Sequence, residues 1–226
     1  CHAGHSRHGR QGWFTIMQEM NPVKNKIHTM ALLLILLISG CDSPAPALSP
    51  LSGDAIILAF GDSLTHGSGV QREHSYPAVL ESLTGRSVIN AGLPGELSRQ
   101  GMARLPGLLE DYRPDLLILC HGGNDILRKL NRTVTLDNLK AMVMQAQQRG
   151  IEVVLVGVPE LKLFSSKPAP LYDRLAGDLG LAYLRDTLPV LERTTSMKSD
   201  HVHLNEEGYN ALAHALFDLL KHHGAL

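Results

Sequence analysis

The chain has 226 residues, of which 44% are hydrophobic and 4% aromatic, with a formal net charge of −1. That length and apolar content suit one globular domain with additional segments. The balanced charge and scarcity of rings argue against a nucleic-acid partner.

The additional segments are at the front. Residues 1–19 are His-rich and without periodicity, and they read as lying upstream of a start at Met20 or Met17. Residues 20–40 read as an export signal. Lys24, Lys26 and His28 precede an apolar run from Met30 to Ile38, far short of the roughly 20 residues that span a bilayer. Leu37-Ile38-Ser39-Gly40-Cys41 resembles a bacterial lipobox. The resemblance implies that Cys41 is lipidated and anchors a periplasm-facing protein of the cell envelope; Asp42 suggests the inner membrane. Ordinary secretion is the alternative. More than one acyl chain would make the anchor stable, at about 0.8 kcal/mol per buried methylene. Residues 41–53 then form the lipidated Cys and a Pro/Ser-rich tether, and 54–226 the domain. Removing the leader takes four Lys/Arg and one acid, leaving 17 basic against 21 acidic side chains. This gives no electrostatic attraction to anionic headgroups. Cys120, in an apolar run, has no partner left for an internal disulfide and reads as a core thiol.

The first element of the domain is the apolar run Ala55–Phe60, a buried strand that breaks at Gly61-Asp62-Ser63-Leu64. A helix follows from Tyr76 to Leu83, with Pro77 in its first turn. Ser87–Ala91 is a short strand and 92–97 a loop. Ser98 caps a helix reaching Tyr112, and Asp115–Cys120 is a second fully apolar strand. His121-Gly-Gly-Asn-Asp125 follows it. A helix over Leu136–Arg149 stops at Gly150, and Ile151–Val156 is another apolar strand. After the loop 159–170 come a helix near Leu171–Leu179, a strand at Leu181–Leu184, and an irregular polar segment. The chain ends on an amphipathic helix, Glu206–Lys221. Continuous apolar strands alternating with helices imply a parallel sheet covered on both faces, a three-layer α/β/α domain. Ligands of such sheets sit at the carboxyl ends of the strands.

Ser63, Gly92 and Asn124 each follow a strand, so all three fall on that edge. Asp200 and His203 lie just before the last helix, in a loop able to return to it. Acyl transfer needs a nucleophile, a base, a group orienting the base, and oxyanion donors. Ser63, His203 and Asp200 fill the first three roles. The Ser63 and Gly92 amides and the Asn124 side chain fill the fourth; a Gly without Cβ leaves room for substrate. Each residue also has a plainer reading. Asp62 and Ser63 can cap a helix, Gly92 can be a turn residue, Asn124 and Asp125 can cap the next segment, and Asp200 can belong to a surface loop. His201 and His203, with Asp62, His121 and Asp200, also suggest a metal site, though no second ligand cluster of suitable spacing supports it.

Together, Gly-Asp-Ser-Leu after the first strand, Asn-Ala-Gly92, Gly-Gly-Asn-Asp125 and Asp-x-x-His203 resemble the SGNH (GDSL) hydrolase superfamily. With Gln100-Gly-Met-Ala-Arg-Leu-Pro106, they resemble its bacterial arylesterase and thioesterase/lysophospholipase branch. The resemblance runs from about Ala55 to Leu220. It implies a flavodoxin-like fold with five parallel strands ordered 2-1-3-4-5, and no metal or cofactor. It also implies a catalytic triad of Ser63, Asp200 and His203 and an oxyanion hole of Ser63, Gly92 and Asn124. The substrates implied are small acyl esters or thioesters, lysophospholipids among them. Pro94 and Leu97 depart from the branch's usual residues and bear on substrate range. Leu161, Leu163 and Phe164, apolar in a polar loop, are candidate walls for an acyl groove. Two alternatives are a carbohydrate O-acetylesterase of the same superfamily and a non-catalytic lipid-binding lipoprotein.

Overall fold

The computed structural model describes residues 48–160 and 167–226. The chain divides into two units, Cys1–Ser43 and Pro44–Leu226, and the described residues all belong to the second. Cys41 and the expected export signal over residues 20–40 lie outside the described residues.

Five strands form one parallel sheet: β1 (Ile56–Gly61), β2 (Ser87–Gly92), β3 (Leu116–Cys120), β4 (Glu152–Val156) and β5 (Ala182–Leu184), in the order β2-β1-β3-β4-β5. This is the expected order. β1 and β3 are continuous apolar runs because both of their faces are covered: Leu58, Ala59, Phe60, Leu117, Ile118 and Leu119 have no exposed surface.

The helices are α1 (Ser63–His66), α2 (Tyr76–Thr84), α3 (Ser98–Tyr112), α4 (Gly123–Leu127), α5 (Arg132–Gln147), α6 (Pro170–Leu179), α7 (Thr187–Leu191) and α8 (Glu206–His222). α2 packs on α8, whereas α3 packs on α5 and α5 on α6. Right-handed crossovers dictate this division. The chain runs one way from β1 to β2 and the other way from β2 through β5, so the two helix sets fall on opposite faces.

Four details depart from the sequence reading. Helices α1, α4 and α7 are short, five residues at most, and too brief to show a period. α5 begins a turn early because the Asn131 side chain accepts from the Thr133 and Val134 amides at 2.9 and 3.3 Å. Ser98 is the first residue of α3 and not its cap; its hydroxyl and amide both donate to Asp125, at 2.6 and 2.8 Å. The fourth departure concerns the tether, whose last residues are bound to the domain. Leu48 and Leu51 amides donate to the His223 and Ala225 carbonyls, both at 2.9 Å, and Leu48 is buried.

α3 carries Pro106 in its interior. A proline there deprives the carbonyl four residues back of its usual donor. That carbonyl belongs to Met102, and the Gln145 side chain of α5 donates to it at 3.4 Å.

Candidate active site

β1 ends on Gly61 and the chain turns at once into α1, whose first residue is Ser63. A Cβ on Gly61 would lie 2.1 Å from the Cys120 carbonyl oxygen, so the turn needs glycine for close approach to β3. Asp62 caps α1, accepting from the Leu64 amide at 3.2 Å. The capping role and an outward-facing Ser63 hydroxyl coexist on adjacent residues. Asp62 itself is buried, and burial raises its carboxyl above the usual range.

From the other end of the chain, the segment 198–204 folds back on itself. Lys198 bridges to Leu204, and the Ser199 amide donates to the His203 carbonyl at 3.0 Å. Inside this loop the Val202 and His203 amides donate to Asp200 Oδ1 at 2.7 and 2.8 Å. Asp200 Oδ2 lies 2.7 Å from His203 Nδ1, and His203 Nε2 lies 3.0 Å from Ser63 Oγ. The His203 amide, then its imidazole, then the Val202 amide hold the Asp200 carboxyl far below the usual range. Because the carboxylate accepts from Nδ1–H, Nε2 is left as the acceptor for the serine hydroxyl proton. The structure thus joins Ser63, His203 and Asp200, 140 positions apart at the extremes, in one hydrogen-bonded line.

Gly92, the last residue of β2, pairs with Gly61 across the sheet. Its missing Cβ makes room for protein and not for ligand: a Cβ there would lie 2.1 Å from the His66 amide nitrogen of α1. The Gly92 amide donates to Asn90 Oδ1 at 3.0 Å. Asn124 lies in the first turn of α4, and its Nδ2 donates to Asp62 Oδ2 at 3.3 Å and to the Glu96 carbonyl at 3.2 Å.

Behind these two segments is a buried polar cluster that the sequence reading passed over. Glu96 and His121 are both buried. The Glu96 carboxylate accepts from Arg104 Nε at 2.8 Å and from a terminal guanidinium nitrogen at 2.6 Å, and His121 Nε2 lies 3.1 Å from it. Burial pushes the Glu96 carboxyl up, but the Arg104 and His121 bonds outweigh that and hold it at about 2. Asp125, also buried, accepts from the Ser98 hydroxyl and amide, and Asn138 donates to Ser98 Oγ at 2.9 Å. A usable signal was Arg104, a charge lying three residues from Gly101 and one from Leu105 on the buried stripe of α3. Glu96, between Gly95 and Leu97, carries no such mark.

A cleft beside Ser63 is walled by Leu64, Ile126, Leu127, Val158 and Pro159, with Asp62, Asn124, Glu192 and His201 among its polar lining. Burial raises the Glu192 carboxyl to about 8. Leu161, Leu163 and Phe164, the candidate acyl walls, lie outside the described residues. The residues of the metal alternative take other partners: His121 binds Glu96 and the Gly122 amide, whereas His203 binds Asp200 and Ser63. Cys120 is buried and free, and burial raises its thiol well above the usual range.

Comparisons with known proteins place the chain in a family. The family model described as GDSL-like Lipase/Acylhydrolase matches residues 59–211. Esterase TesA of Pseudomonas aeruginosa is 32% identical over 128 residues, covering 54% of this chain and 63% of TesA. Thioesterase 1/protease 1/lysophospholipase L1 of Escherichia coli K12 is 33% identical over 104 residues, 45% of this chain and 50% of that protein. The chain therefore spans between half and just under two thirds of the length of these curated relatives. A crystal structure of TesA superposes with a TM-score of 0.66 at 26% identity, over 74% of this chain and 98% of that one. With the family model spanning well over half its length and the same fold beneath it, the chain belongs to the GDSL-like lipase/acylhydrolase family.

Proposed function

We propose that this chain is a serine hydrolase of carboxylic esters or thioesters working through an acyl-enzyme on Ser63. The observation that carries the reading is the line from Asp200 through His203 to Ser63, at 2.7 and 3.0 Å. His203 Nε2 takes the hydroxyl proton as Oγ attacks the substrate carbonyl carbon. The imidazolium that results is stabilised by Asp200. The tetrahedral oxyanion is met by the amide of Ser63, which as the first residue of a helix has no intrahelical partner. Asn124 Nδ2 and the Gly92 amide complete the hole. An oxyanion competes with Asn90 for the Gly92 amide and with Asp62 for Asn124. Collapse breaks the bond to the alcohol or thiol, which leaves with the proton from His203. Water then repeats the sequence on the acyl-enzyme and frees the acid.

The aliphatic wall of Leu64, Ile126, Leu127, Val158 and Pro159 supports an apolar acyl group. The names of the relatives, esterase and thioesterase/lysophospholipase, support esters, thioesters and lysophospholipids as the substrate range. Ser63→Ala is expected to abolish p-nitrophenyl acetate hydrolysis with the fold unchanged by circular dichroism. Hydrolysis by that variant at a rate comparable to wild type would refute the reading.

The lipobox-like sequence supports anchoring in the cell envelope through Cys41. Radiolabelled palmitate is expected to enter the full chain expressed in bacteria and to be absent from Cys41→Ser; equal labelling of both would remove the anchor from the account.

A further inference from the structure

Two segments must stand at a fixed separation for the proposed oxyanion hole to work: the end of β2, carrying the Gly92 amide, and the start of α4, carrying Asn124. No hydrogen bond joins Gly92 to Asn124 among the described residues. They are linked through Gly61, which pairs with Gly92, and its neighbour Asp62, which accepts from Asn124, and a second time through Glu96 and its partners.

On the β2 side, a terminal nitrogen of Arg104 donates at 3.0 Å to the carbonyl of Ala91, the residue before Gly92. The same nitrogen donates to Glu96 Oε2. On the α4 side, the Glu96 carbonyl accepts from Asn124 Nδ2 at 3.2 Å, while its carboxylate faces His121 Nε2 at 3.1 Å. His121 Nδ1 in turn accepts at 2.8 Å from the amide of Gly122, the cap of α4. With Nδ1 accepting, Nε2 carries the proton and donates to Glu96. The ring is therefore held at both nitrogens and sits with no exposed surface. α3 makes room for it with Gly101, where a Cβ would lie 2.4 Å from His121 Nε2. Arg104 is steadied from above by the Phe60 ring, 4.4 Å from its guanidinium carbon.

We propose that Glu96, Arg104 and His121 are positioning residues that set the spacing between the Gly92 and Asn124 donors; this rests on the oxyanion roles proposed above. The strut touches no substrate. It acts on the transition state alone, because a loosely spaced pair of donors still admits the ester but meets the oxyanion poorly. A buried ion pair with a purely structural role would instead affect stability and leave the kinetic constants together.

The test is a double-mutant cycle of Glu96→Gln with Asn124→Ala, measured as kcat and KM on p-nitrophenyl acetate with the full chain. Glu96→Gln alone is expected to lower kcat at least tenfold with KM within threefold of wild type. Added to Asn124→Ala, it is expected to cost no more than threefold, since the donor it positions is gone. Equal costs in the two backgrounds, or Glu96→Gln within twofold of wild type, overturn the proposal. If Glu96→Gln does not fold, His121→Phe carries the same cycle, removing the ring's bonds to Glu96 and Gly122 while keeping the Arg104 pair. A wild-type chain that neither hydrolyses the ester nor reacts with a fluorophosphonate overturns the underlying reading and the strut with it. Activity that Asn124→Ala impairs but Glu96→Gln does not overturns the strut alone.

Discussion

In the proposed mechanism Ser63 is an ordinary alcohol until His203 takes its proton, and His203 acts as a base only while Asp200 holds Nδ1 protonated. Asp200 is about half exposed. Its orientation therefore comes from the two backbone amides of its own loop and not from burial. Asn124, proposed as an oxyanion donor, gives the clearest kinetic test. Replacing it with Ala is expected to raise the barrier by about 3 kcal/mol, a loss of about 10²-fold in kcat, as for other oxyanion donors. An Asn124→Ala enzyme within twofold of wild type would take Asn124 out of the hole. Glu192 gives a separate test by pH. Its carboxyl is raised to about 8 by burial, so the folded chain keeps a proton that the unfolded chain releases near the ordinary carboxyl value. Stability from this group therefore falls as pH rises from about 4.5 towards 8. Glu192→Gln removes that penalty. The Tm difference between variant and wild type is expected near zero at pH 4 and in favour of the variant at pH 8; a difference independent of pH would contradict it.

The elements that hold the site were legible in uneven measure. β1 and β3 announce themselves as unbroken apolar runs, and their alternation with helices implies a parallel sheet, whereas its order came only from the family resemblance. The turns that aim the side chains left less trace. α1 and α4 are shorter than two helical turns, so their apolar residues cannot show a period, yet they carry Ser63 and Asn124. The motifs that carry the candidate residues Ser63, Gly92, Asn124, Asp200 and His203 were legible, because glycines and short polar runs mark where strands end. The Glu96–Arg104–His121 cluster was not, since its partners come from three segments and only the fold brings them together. Gly92 lies at the end of β2, and its missing Cβ serves the approach of α1, where the sequence suggested room for substrate. The same logic makes Gly101 a test of how α3 sits on β3. Gly101→Ala is expected to destabilise the domain by about 1–3 kcal/mol through overpacking against His121. Unchanged urea midpoints would mean that His121 yields at no cost.

Across the whole molecule, the two helix layers protect the sheet and leave its carboxyl edge to collect Ser63, Gly92, Asn124 and the Asp200–His203 loop. The opposite end is closed by the segment leading into the domain, where Leu48 and Leu51 bond to residues 223 and 225 after α8. A tether composition concealed this, because Pro and Ser surround the one leucine that is buried. A chain beginning at Asp54 is expected to melt below one beginning at Pro44. Exposing Leu48 costs about 1.5–3 kcal/mol, and each kcal/mol is worth roughly 2–4 °C at this size. Equal melting temperatures would make the clasp irrelevant to stability.

Everything rests on a serine made nucleophilic by groups remote in sequence. The most direct measurement is the mass of the protein after exposure to a fluorophosphonate, followed by peptide mapping. One adduct, on the peptide bearing Ser63, lost in Ser63→Ala and strongly slowed in His203→Ala, is the expected result. No adduct on the folded wild-type chain, or an adduct on another residue with Ser63 untouched, would contradict the account.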